Sequence, residues 1–173
     1  MNTFYKKNGF TLLEVMIAIA ILAIGMLGIA GLNMVSMEHN HSAYLRSQAI
    51  TISQDIIERM RNNPDAVTAG KFNDIKSVGQ TMPNTDCLTA DDGCSIDQLA
   101  NIDIAQWAQM INSISDENAR QQLPGASATV KADANNLFTI SVQWDTKQWV
   151  TSDKGITTRE RTKSNYEVEV IIN

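Results

Sequence analysis

The sequence predicts an α+β protein in which one long N-terminal helix packs on a C-terminal antiparallel β-sheet. Three observations carry this. Val15 to Leu32 is a run of eighteen residues without a charge. A stripe of apolar residues at helical spacing follows it, and near the C-terminus three segments alternate apolar and polar at period two. With 173 residues the chain is of single-domain size. If roughly the first sixty belong to the helix, about 110 remain for one modest core.

The apolar run comes first. A cleavable secretory signal has an apolar stretch of about 7–15 residues and a small-residue cleavage site behind it. Here the run is longer, and Ala30–Gly31 leads straight into more helix-forming sequence. A soluble core helix of this length needs a polar face, which this one lacks. A transmembrane helix fits: eighteen residues rise about 27 Å, close to the thickness of a bilayer core. Lys6 and Lys7 flank only the N-terminal side, which predicts an N-in orientation with the remainder outside the cytoplasm. Glu14 interrupts the pattern. An acid costs about 2.5–3.5 kcal/mol at mid-bilayer and less near the interface. Either Glu14 sits at headgroup depth, or it has a partner.

Beyond the polar stretch "NMVSMEHNHS", residues Leu45, Ala49, Ile52, Ile56 and Met60 recur at spacings of three and four, and Ile50 and Ile57 widen the stripe. This predicts an amphipathic continuation with one face for a core. Asp55 and Arg59 form an i,i+4 pair in the favourable acid-first order. Arg59 and Arg61 suit the negative end of the helix, and "NNP" at 62–64 signals its stop. A helix from Phe10 to Arg61 would be about 78 Å long.

From Pro64 to about residue 96 the sequence reads as loop. Cys87 and Cys94 lie there, with Asp86, Asp91, Asp92 and Asp97 around them. In a reducing compartment the pair would be free thiols or half of a metal site. On the outer side of a membrane it reads as a small disulfide loop, the assignment the transmembrane reading favours. The acidic spacing does not match an EF-hand calcium loop. Residues 103–115 predict a short helix with Ile104, Trp107, Met110, Ile111 and Ile114 on one face, and "LPG" at 123–125 ends that region. The segments "ASATVKA", "LFTISVQWD" and "NYEVEVII" then read as half-buried strands, the first two joined by a turn at "DANN". Residues 146–164 form a hairpin loop or a longer excursion, and Trp144 and Trp149 pack in the core or at its rim.

The polar inventory predicts no enzyme. His39 and His41 are two apart, so on a helix they point about 200° from each other and cannot share a metal. No further histidine stands as a general base, and no glycine-rich phosphate loop is present. Formal net charge is −5, from 14 basic and 19 acidic residues. The basic residues form no cluster interleaved with aromatics, so direct nucleic-acid binding is not expected. "RERTK" at 159–163 reads as a solvated basic stretch.

With Gly9, Phe10, Thr11, Leu12, Leu13, Glu14 and Val15 before the apolar run, the sequence resembles the type IV pilin superfamily. The stretches "SAYLRSQAITISQDIIERMRNNPDA", "LPGASATV" and "LFTISVQWD" resemble the minor pilins called PilV, the type IV pilus modification proteins. The likeness is strong over residues 9–66 and looser over 100–145. It implies a type IV pilin fold with a leader at 1–9 and a transmembrane and filament-core helix at 10–35. An amphipathic continuation at 36–63 and a globular domain at 64–173 complete it. It also implies cleavage between Gly9 and Phe10 by prepilin peptidase and N-methylation of Phe10 by the same enzyme. Glu14, with Thr11 beside it, is implied as an assembly contact to the new α-amine of a neighbouring subunit.

The implied partners are other minor pilins, the major pilin, the inner-membrane assembly platform and membrane lipid; no cofactor is implied. The implied location is the inner membrane, single-pass and N-in with a periplasmic domain, and then the surface pilus. Initiation of assembly at the tip, twitching motility, adhesion and DNA uptake are the associated functions. A type II secretion pseudopilin and a tip-displayed adhesin are the alternatives. Major pilins commonly carry a proline in the mid-membrane region, where Gly31 stands here. Gly25, Gly28 and Gly31 each weaken a helix by about 1 kcal/mol relative to Ala, either as sites of local melting or as ordinary membrane-helix residues.

Overall fold

The computed structural model describes residues 9–115, 123–153, 155 and 157–172. Lys6, Lys7 and the side chains of Ile114, Trp149 and Arg159 lie outside the described residues. Helix α1 spans Leu12–Asn62, matching the long helix the sequence predicts. By its contacts the chain divides into two compact units, Met1–Ser42 and Ala43–Asn173.

In the first unit every described residue is exposed. Leu12 is 85% and Leu27 73% exposed, and the apolar side chains between them face outward on all sides of the helix. A soluble helix would cover such a surface, so this one needs lipid or other apolar helices around it. The helix is long and apolar enough to cross a membrane. It runs through Gly25, Gly28 and Gly31 without a break, and a Cβ added at any of the three would meet open space.

In the second unit the core is built on the stripe read from the sequence. Leu45, Ala49, Ile52, Ile56, Ile57 and Met60 are buried, and Ser53 joins them because its hydroxyl donates to the Ala49 carbonyl at 3.0 Å. Ile50 is only half-buried. Asp55 meets Arg59 at 2.8 Å, as the acid-first spacing predicts. "NNP" does stop α1, but Pro64 at once opens a second short helix, α2 (Pro64–Thr68), where its missing N–H costs nothing.

The expected loop holds α2, a two-residue strand β1 (Ile75–Lys76) and one short 3₁₀ turn, Asp86–Leu88. Helix α3 runs Ile96–Ser115 and so starts seven residues earlier than its apolar pattern suggests. A reciprocal cap explains this start. Ser95 Oγ accepts from the Gln98 N–H at 3.3 Å, and Gln98 Oε1 accepts from the Ser95 N–H at 3.0 Å. Ile104, Trp107 and Ile111 are buried as expected, while Met110 is partly so. Fully buried Trp107 donates its indole N–H to the Ile52 carbonyl at 3.1 Å, tying α3 to α1.

Strands β2 (Ser127–Ala132), β3 (Leu137–Thr151) and β4 (Thr157–Ile171) complete a four-stranded antiparallel sheet in the order β1-β2-β3-β4. The turn at "DANN" forms with Asn135 and Asn136 at positive φ, a conformation Asn tolerates, and Asp133 Oδ1 accepts from the Ala134 N–H at 2.7 Å. Even-numbered residues face the core: Ala128 opposes Val142, Val130 opposes Ile140 and Phe138 opposes Val170. Trp144 is buried there. Residues 146–164, expected as loop or excursion, are mostly strand. The β3–β4 ladder runs unbroken from Leu137↔Ile171 to Thr151↔Thr157.

Candidate functional site

The N-terminal turn of α1 is built from Thr11 and Glu14. The Thr11 carbonyl accepts from the Glu14 N–H at 3.1 Å, and its hydroxyl oxygen lies 3.3 Å from the same N–H. Thr11 is thus the N-cap, and it satisfies one of the orphan donors of the first turn. Glu14 stands at the third helical position, where an acid is favoured by the positive end of the helix dipole. T-x-x-E before an apolar run is a capping-box signature, so this role was readable from the sequence. It assigns Thr11 a task within its own chain. The Glu14 side chain is exposed, as are Gly9 and Phe10, the latter 83% exposed.

This geometry can do two things chemically. The junction between Gly9 and Phe10 lies just outside the first helical turn, open to a protease. Glu14 is the only charge between Gly9 and Met37, so any cation that meets this apolar surface meets it there.

Cys87 and Cys94 form a disulfide. Of the acids around it, Asp86 accepts from Asn84 Nδ2 at 2.9 Å while its own N–H donates to Asn84 Oδ1 at 2.7 Å. Asp97 pairs with Lys71 at 3.0 Å. Asp91 and Asp92 are exposed. Among the described residues no three His, Cys, Asp or Glu side chains converge as a metal centre. His39 and His41 are both exposed on α1.

One charged cluster went unread in the sequence. Arg59 reaches across to α3, meeting Asp103 at 3.0 Å and Gln106 at 2.9 Å besides Asp55. Burial by itself would lower the Arg59 pKa, but the hydrogen bonds and charges of Asp55 and Asp103 outweigh it and leave it raised. Burial pushes the Asp103 carboxyl above its usual value, against the pull of Arg59. Spacing reveals the Asp55–Arg59 half of this cluster; the other half depends on how α3 lies on α1.

Two family models match the chain. The prokaryotic N-terminal methylation motif matches residues 5–30, and the model described as type IV pilin Tt1218 matches residues 31–105. No curated protein and no solved structure matches.

Proposed function

Since the chain belongs to the type IV pilin superfamily, we propose that it is a minor pilin that helps initiate pilus assembly and sits at or near the tip. Prepilin peptidase cuts between Gly9 and Phe10 and methylates the new Phe10 amine. The apolar half of α1 then holds the subunit in the inner membrane, N-in, with its domain in the periplasm, until the assembly platform moves it into the filament. There the same apolar surface packs against other minor pilins and the major pilin. The sequence stretches that resemble PilV-type minor pilins support that description.

The observation that carries this reading is Glu14, a lone charge one turn into a capped helix whose apolar side chains are exposed on all sides. An exposed carboxylate at that depth is costly in lipid and favourable opposite a neighbour's amine. In-frame deletion of the chain tests the role. Loss of surface pili and twitching with intact protein secretion is the expected result. Normal piliation, or a secretion defect with intact pili, would contradict it, and the latter would mark a pseudopilin instead.

A further inference from the structure

β4 is the last strand of the sheet, and among the described residues its only strand partner is β3. The Ile172 N–H donates to the Asn136 carbonyl, which puts the polar backbone groups of even-numbered β4 residues on the β3 side. Those of the odd-numbered residues therefore face the open edge. These same odd residues stand on the outer face of the sheet in a polar order: Arg161 and Lys163, then Asn165, then Glu167 and Glu169. From Arg161 to Glu169 all five side chains are exposed.

Asp145 answers part of this charge within the chain, standing directly opposite Lys163 in the ladder, while no acid of β3 stands opposite Arg161. Lys147 stands directly opposite Arg161 in the ladder, a like-charged pair that weakens a hairpin. Arg161 reaches the same Asp145 at 3.7 Å, a long ion pair. Tyr166, Val168 and Val170 on the inner face are only partly covered and line an open groove of about 410 Å³ against Ile57 and Glu58 of α1. Long edges with unspent hydrogen bonds are templates for another strand.

We propose that the β4 edge pairs antiparallel with the β4 edge of a second copy of this chain, about a two-fold axis at Asn165. The charge order, basic then acidic along the strand, is self-complementary in that register: Lys163 faces Glu167 of the copy, Arg161 faces Glu169, and both pairs recur by symmetry. Tyr166 lies diagonal to its own copy on the inner face, within reach for an aromatic contact. A parallel in-register pairing would instead set Arg161 on Arg161 and Glu167 on Glu167. The occupant is thus fixed by charge complementarity, and the contact is isologous and closes at two copies. The axis runs normal to the sheet, so it reverses every direction in the sheet plane, including that of the packed half of α1. The pair joins molecules that meet from opposite directions, not neighbours in a parallel row. It stands independently of the assembly role of Glu14.

The test uses the full chain in detergent, with self-association followed by sedimentation over a range of concentrations. An all-acidic edge is made by Arg161→Glu with Lys163→Glu, and an all-basic edge by Glu167→Lys with Glu169→Lys. Each variant alone is expected to dimerise at least about tenfold more weakly than wild type. An equal mixture of the two is expected to recover wild-type association as a heterodimer. Asn165→Cys is expected to cross-link copy to copy under mild oxidation, whereas Thr157→Cys is not. All four charges are on the exposed face, and unchanged circular dichroism melting excludes misfolding. A wild-type chain that stays monomeric, variants that dimerise like wild type, or a mixture that fails to recover association would each overturn the pairing.

Discussion

Glu14 sits in the capped first turn of its own helix, and the proposed assembly role gives it a neighbour as well, while Thr11 spends its hydroxyl within the chain. Thr11→Ala should therefore fray the first turn, at a cost of about 1 kcal/mol, and Thr11→Ser should restore it; amide exchange at Glu14 and Val15 reads the difference. In the core, Trp107→Phe removes the bond to the Ile52 carbonyl and leaves a small cavity. A loss of about 1–3 kcal/mol in urea unfolding is expected. Asp103 makes a prediction in pH. Its carboxyl is raised in the folded chain, so the folded state holds a proton after the unfolded state has lost it. Stability from this group is then intact below the ordinary carboxylate value of about 4 and falls as pH rises through the raised value. Asp103→Asn should remove that fall, seen as a mutant-minus-wild-type stability that increases with pH across this window. The stripe from Leu45 to Met60 was legible because burial on a helix leaves a period. Arg59 to Asp103 was not, because two residues 44 apart in sequence meet only through packing.

At the scale of elements, the sequence showed where apolar periodicity was strong and misled where capping decided the boundary. The first turns of α3 hold Ile96, Leu99 and Ile102 at spacings of three, but Ile96 and Leu99 stay exposed, and the start is set by the Ser95–Gln98 cap, a signal present as S-x-x-Q. The β3–β4 ribbon was hidden for another reason. Beyond Trp144 it extends past the last β2 pairing, at Gln143, and with less core to face it loses the apolar alternation that marks a strand. The disulfide between Cys87 and Cys94 staples a stretch with no buried residue of its own from Cys87 to Cys94. Replacing both cysteines by Ser should lower stability by about 2–3 kcal/mol through the loop entropy it restores to the unfolded chain. The far-UV spectrum of the helices should be unchanged, and thermal melting with and without reductant measures the effect.

The whole molecule joins a helix that needs an apolar environment to a domain that has buried its own core. No residue of the domain is required to explain why the first unit is apolar, and the exposed leucines and isoleucines of α1 have no soluble use. The family matches to residues 5–30 and 31–105 fall on this helix and the elements that follow it. Mass spectrometry of the mature chain should find Phe10 as its first residue, one methyl group heavier than the cleaved sequence. The most direct measurement is the amount of this subunit in sheared pili from cells carrying Glu14→Ala, compared with wild type at equal membrane levels and equal leader cleavage. A strong drop in incorporation is the predicted result. Equal incorporation of the two forms would contradict the assembly role of Glu14.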